Sequence, residues 1–209
     1  MLRRIRAFYN HSDKYEKDNR WIFTSMLVGA IGSLIAAFVL SVEAFELAKN
    51  PDAVLSCSVN LVINCATVAK TWQANLLGFP NSFFGLVAEP VVITVAIAGL
   101  AGVKFPRLFM FIAQVFYTLG VLFAFWLFYE SFFVIQALCP WCLLVTATTL
   151  FVWFAISRYN IREGNLYLSE NLSKTAQAWI KSDYDKLVLF GLVAVMVAAI
   201  IVKYGSSLL

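Results

Sequence analysis

Leu108-Phe-Met-Phe-Ile-Ala-Gln-Val-Phe-Tyr-Thr-Leu-Gly-Val-Leu-Phe-Ala-Phe-Trp-Leu-Phe-Tyr129 runs for 22 residues without an Asp, Glu, Lys or Arg. A helix needs about 20 such residues to cross the hydrocarbon of a bilayer. Working outward, similar blocks occupy residues 21–40 and 83–101 before it, and 138–157 and 187–202 after it. The whole chain of 209 residues is 61% hydrophobic and 13% charged, with a mean hydropathy of +0.79. A soluble domain carries about 25% charged residues, so this composition excludes one. The expectation is an all-α membrane protein with five transmembrane helices. The first block follows twenty mostly polar residues and is too long for the core of a signal peptide, so it should remain in the mature protein.

Basic residues orient the spans. The tail, residues 1–20, holds Arg3, Arg4, Arg6, Lys14, Lys17 and Arg20. Five spans put segments 102–107 and 158–186 on the same side, adding Lys104, Arg107, Arg158, Arg162, Lys174, Lys181 and Lys186. Only Lys49, Lys70 and Lys203 fall on the other face. Excess Lys and Arg mark the cytoplasmic side. The N-terminus is therefore expected in the cytoplasm, with the outer loop 43–82 and the end of segment 187–209 outside. The net charge of +4 is accounted for by this topogenic charge without a nucleic-acid partner. His11 reads as a solvated side chain of the tail.

All four cysteines fall on the outer side. Cys57 and Cys65 lie in the 43–82 loop, whereas Cys139 and Cys142 sit at the mouth of the fourth helix. An even cysteine count in an oxidising compartment reads first as disulfides, and two structural staples are the plain interpretation. Cys139-Pro-Trp-Cys142 argues for exchange instead. Proline is tolerated in the first helical turn, and exposed amides at a helix N-terminus favour a thiolate. A bridge across two residues also removes little loop entropy. Cys142 is about 4.5 Å deeper than Cys139 at 1.5 Å per residue. The outer cysteine is thus placed to meet a protein thiol and the inner one a lipid-soluble acceptor, of which a quinone is the abundant kind.

In the outer loop, Cys65, Val68, Trp72 and Leu76 form one stripe at helical spacing, closed by Gly78 and Pro80. This pattern predicts a short amphipathic helix on the membrane face, with Cys65 over the bundle mouth.

These residues carry a resemblance. Cys57-Ser-Val-Asn-Leu-Val-Ile-Asn-Cys65, Thr71, Leu77-Gly-Phe-Pro-Asn81-Ser-Phe-Phe-Gly85 and Ala137-Leu-Cys139-Pro-Trp-Cys142 resemble the vitamin K epoxide reductase family in its short bacterial form, over residues 20–157. The resemblance implies a four-helix bundle, residues 21–157, around a quinone (menaquinone or ubiquinone), with an extra fifth helix here. It implies that Cys57 meets the partner, Cys65 passes electrons to Cys139, and Cys142 reduces the quinone. Asn81 matches an asparagine that hydrogen-bonds a quinone oxygen, although from sequence it reads equally as a helix N-cap. Thr71 matches a hydroxyl that assists transfer between the pairs, or is an ordinary loop residue. Thr146 stands where vertebrate-type members carry a tyrosine, which leaves quinone reduction as the expected activity rather than epoxide reduction.

Some relatives carry a fused thioredoxin-like domain, whereas this sequence ends shortly after the fifth block. The expected partner is a separate thioredoxin-fold, DsbA-like thiol oxidase acting in trans, and the expected location is a bacterial plasma membrane. Glu89, inside the second span, should face the bundle, as a structural carboxyl beside Pro90 or as part of a quinone pocket. From a different class, four outer cysteines suit a soft metal ion.

Overall fold

The computed structural model describes residues 13–208. Arg3, Arg4, Arg6 and His11 of the tail, and Leu209, lie outside the described residues. Among the described residues seven α-helices follow one another: α1 Lys14–Lys49, α2 Cys65–Ala69, α3 Ser82–Leu100, α4 Arg107–Tyr129, α5 Pro140–Arg162, α6 Glu170–Lys181 and α7 Tyr184–Leu208. Among the described residues five helices are long and apolar enough to cross a membrane, as the hydropathy blocks predict: α1, α3, α4, α5 and α7.

The helices outrun the blocks. At 36 residues α1 is about 54 Å long, against about 30 Å of hydrocarbon. Asp13 caps its first turn by accepting from Tyr15 N at 2.9 Å, and Pro51, beyond the cap residue Asn50, cannot continue it. Hydropathy reports only the part in lipid, so the polar ends of α1, and residues 158–162 of α5, were expected to be tail or loop. For the same reason α6, a polar amphipathic helix, was not anticipated within the 158–186 segment.

α1 packs against α3 and α5, and α4 packs against α5. One face of α1 buries Ile22, Phe23, Met26, Gly29, Ala30, Ser33, Ala36 and Ala37, while Val28, Ile31, Ile35 and Phe38 point outward. Small residues let backbones approach where lipid supplies no hydrophobic drive. A Cβ on Gly29 would stand 2.8 Å from Val152 Cγ2 of α5, and one on Gly85 of α3 would stand 2.7 Å from Ala37 Cβ. α7 packs on α5, burying Leu189 in one cluster with Val121 of α4 and Leu150 and Phe154 of α5.

One end of the bundle is tied by charge. Arg158 Nε meets Asp18 Oδ1 at 2.6 Å, and its other nitrogens meet Asp185 at 2.7 Å and Asp183 at 3.0 Å. Arg162 adds Asp18 Oδ2 at 2.9 Å. The planar fork of Arg158 suits several carboxylates at once, and here it joins α1, α5 and the start of α7. Within the spans, Glu89 is buried and accepts from Tyr117 Oη of α4 at 2.9 Å, so it faces the bundle as expected. The cysteines occupy the opposite end from Arg158.

Candidate thiol–disulfide site

The loop between Cys57 and Cys65 folds on its own side chains. Asn60 Oδ1 accepts from Val62 N at 2.9 Å and Ile63 N at 2.6 Å, the local turn that asparagine favours. Asn64 caps α2 by accepting from Thr67 N at 2.9 Å, and Ser58 Oγ donates to the same oxygen at 3.2 Å. Cys57 and Cys65 are thereby brought together, with Cα atoms 5.6 Å apart, and form a disulfide.

Cys139 arrives from the other side. α4 runs into a π-helical turn, Glu130–Ile135, which ends at Gln136 in the left-handed region. Ser131 Oγ donates to Ala137 O at 2.5 Å. Leu138 then pairs with the loop: its N–H donates to Val62 O at 2.7 Å and its carbonyl accepts from Asn64 N at 3.0 Å. Because Asn64 precedes Cys65 and Leu138 precedes Cys139, this two-bond bridge fixes the sulfurs against each other. Cys65 Sγ lies 3.2 Å from Cys139 Sγ, and both residues are buried.

Cys139 stands just before α5 and caps it, its sulfur accepting from Cys142 N at 3.3 Å. Cys139 and Cys142 are free thiols, and Cys142 is half-buried. The Cys139 thiol is held below the usual cysteine range, first by the Cys142 side chain and then by the amides of Cys142 and Trp141, against the opposing effects of burial and the charge of Glu43. A lowered thiol is a better leaving group in exchange.

Other sequence candidates sit around this centre. Thr71 Oγ1 donates to Val68 O at 2.7 Å and accepts from Ala74 N at 3.4 Å, bonds internal to its loop. Asn81 stands at the N-cap position of α3 but makes no side-chain capping bond. Its Nδ2 donates to Gln73 O at 2.6 Å and its Oδ1 accepts from Leu76 N at 3.2 Å. The amphipathic stripe is shorter as a helix than the pattern suggests. α2 ends at Ala69, and a 3-10 turn, Gln73–Asn75, follows. Thr71 and Asn75 take the carbonyls of Val68 and Ala69, competing with helical bonds. Cys65 and Val68 are buried, whereas Trp72 and Leu76 remain exposed, with Trp72 against Trp126 of α4.

Four contributors were missed by sequence reasoning. Glu43 is 5% exposed, and its Oε2 lies 3.3 Å from Cys57 Sγ. An acid within the apolar register of α1 would have flagged it, had the first span been read past residue 40. Gln73 is buried and donates to Glu130 of the π-helical turn at 3.0 Å. Lys203 and Tyr204 of α7 both donate to Phe132 O in that turn, at 2.5 and 2.7 Å. No signal in the sequence pairs these residues.

Five membrane-crossing helices with a disulfide set against a Cys-x-x-Cys dithiol define a membrane protein built for thiol–disulfide exchange. Residues 24–157 match the family model described as the vitamin K epoxide reductase family, and the chain belongs to that family. Its members are membrane-bound, disulfide-generating oxidoreductases that use quinones. Comparison with curated proteins gave no match.

Proposed function

We propose that this chain reoxidises an extracytoplasmic, DsbA-like thiol oxidase and passes the electrons through Cys57/Cys65 and Cys139/Cys142 to menaquinone or ubiquinone. The observation that carries the reading is the 3.2 Å approach of Cys139 Sγ to a sulfur already in a disulfide. Thiol–disulfide exchange needs a thiolate against one sulfur of a disulfide and a leaving sulfur to take the electron pair. When Cys65 attacks Cys139 of a Cys139–Cys142 disulfide, Cys142, one helical turn later, is that leaving sulfur. Cys57 Sγ also lies within 4.8 Å of Cys139 Sγ, but Cys65 makes the 3.2 Å approach, which leaves the partner-facing role to Cys57.

The residues at this end fit a quinone. Cys142 is half-buried rather than sealed, and Asn81 has two amide hydrogens, of which one is committed to Gln73 O. A bound quinone would supply a two-electron, two-proton acceptor. Asn81 would orient it with the remaining N–H, and Cys142 would deliver the electrons. The half-buried Thr71, which organises the turn beneath Trp72, assists by holding α2 and hence Cys65. The 13-to-3 basic asymmetry between the two faces supports an orientation with the cysteines on the extracytoplasmic side, and a bacterial plasma membrane is the location proposed.

Anaerobic addition of a short-chain quinone to the reduced, detergent-purified chain should yield quinol with concomitant loss of free thiols. In intact cells a membrane-impermeant maleimide should label reduced Cys57. No quinol, or labelling only after lysis, would defeat the activity or the orientation respectively.

Asn81→Ala is expected to slow quinol formation about 10²-fold, the effect of removing one donor to a developing oxyanion, without altering the Cys57–Cys65 disulfide. A wild-type rate with a lowered Tm would reduce Asn81 to an anchor of the Gln73 turn. Cys57, Cys65 and Cys139 also offer three sulfurs within 4.8 Å of one another, which favours a soft-metal reading once reduced. Stoichiometric zinc in the reduced protein together with absent turnover would select it.

A further inference from the structure

The geometry points to Glu43 as the general base that activates Cys57 when Cys57 resolves the Cys65–Cys139 link. This inference rests on the electron path proposed above and adds a residue to it.

Glu43 lies near the outer end of α1 with its carboxylate turned into the cysteine cluster. Ser56 Oγ donates to its Oε1 at 2.6 Å and fixes the group. Its Oε2 lies 3.3 Å from Cys57 Sγ and takes no other bond among the described residues. With Cys57 in the disulfide, that sulfur carries no hydrogen, so a buried acceptor faces an atom that cannot donate to it. Burying a polar atom without a partner is unfavourable. The partner arises only when Cys57 is a thiol, whose S–H then points at Oε2. The contact is therefore suited to the reduced form of Cys57, the form that must act as a nucleophile.

The step balances without any further reactant. Cys57 S–H gives its proton to the Glu43 carboxylate, and the thiolate attacks Cys65 Sγ. The Cys57–Cys65 bond forms as the Cys65–Cys139 bond breaks, and Cys139 leaves with the electron pair as a thiolate. One disulfide replaces another, so no electrons enter or leave. The observed arrangement, with Cys57 bonded to Cys65, Cys139 free and the two Sγ atoms 3.2 Å apart, is that of the product. The other titratable groups that feel Glu43 are Cys139 and Cys142 of the α5 mouth. Its charge opposes a thiolate at Cys139, and taking up the Cys57 proton removes that opposition as Cys139 departs.

The test uses the full-length chain in detergent, with dithiothreitol as thiol donor and a short-chain quinone as acceptor. Samples are quenched in acid, alkylated and mapped without reduction. Glu43→Gln keeps an acceptor for Ser56 but cannot take a proton. It should raise the steady-state fraction of the Cys65–Cys139 link several-fold and slow turnover about ten- to a hundred-fold. That is the low end of general-base effects or below, because a free thiol is already a few per cent ionised at pH 7. The deficit should shrink as pH rises and hydroxide takes over the deprotonation. Glu43→Asp, which keeps the carboxylate, should recover most of the rate and the wild-type pH profile. A Gln variant with wild-type link abundance and pH profile overturns the inference. So do equal, pH-independent defects in the Gln and Asp variants, which would make Glu43 a tether for Ser56. Failure of the electron path itself would show differently, as absence of any Cys65–Cys139 link in Cys57→Ala.

Discussion

Cys142→Ser is expected to abolish quinol formation, by at least about 10³-fold, while the protein still inserts and folds. A serine hydroxyl cannot share a disulfide with Cys139 or deliver a sulfur-centred electron pair, so covalent catalysis is lost and only binding remains. The fold should tolerate the change because the helix-capping bonds here use the Cys142 backbone, and a serine hydroxyl can keep the side-chain hydrogen bond to Cys139. The cap of α5 runs from Cys142 N to Cys139 Sγ, and Thr146 Oγ1 reaches Cys142 O at 2.9 Å; both contacts survive. Titration of reduced variant with quinone, read at the quinol absorbance, checks the result. Near wild-type turnover would remove Cys142 from the terminal position.

Cys57→Ala is expected to leave most of the protein with Cys65 joined to Cys139 and Cys142 free to alkylate. Freed from Cys57, the Cys65 thiolate has one sulfur within reach, Cys139 Sγ at 3.2 Å. The Leu138 bridge to Val62 and Asn64 holds that approach independently of the disulfide. Attack on a Cys139–Cys142 disulfide releases Cys142, and the variant lacks the Cys57 thiol that would resolve the link forward by re-forming Cys57–Cys65. Non-reducing peptide mapping distinguishes this from Cys65 free beside an intact Cys139–Cys142 bridge. That second pattern would mean two independent disulfides, with the first pair structural.

How far the site was legible depends on the range of each interaction. The place of Pro140 in the first turn of α5 and of Cys139-x-x-Cys142 at a helix N-terminus are properties of four consecutive residues, and they appear as read, whereas the capping bond from Cys142 N to Cys139 Sγ is seen only in the structure. Asn81 was open between a cap and a ligand because both readings use the same residue type at the same place. Only its bonds to Gln73 O and Leu76 N show that the side chain serves the turn instead of the helix end. The stripe from Cys65 to Leu76 has helical spacing, yet Thr71 and Asn75 bond backbone carbonyls in its middle and stop the helix at Ala69. Periodicity counts apolar positions and is blind to that competition.

By itself the sequence determined the membrane environment, the five spans and the clustering of all four cysteines beyond one set of span ends. These follow from windows of about 20 residues, within which the transfer of side chains and backbone into lipid settles the outcome locally. Only the tertiary structure decided which cysteine meets which across the two segments, and what stands beside them. Cys65 and Cys139 are 74 positions apart, and Lys203 reaches Phe132 across 71. Glu43 meets Cys57 from a helix whose outer turns hydropathy does not register. Contacts of this kind depend on how α1, α5, α7 and the loop pack together, and no local spacing encodes them.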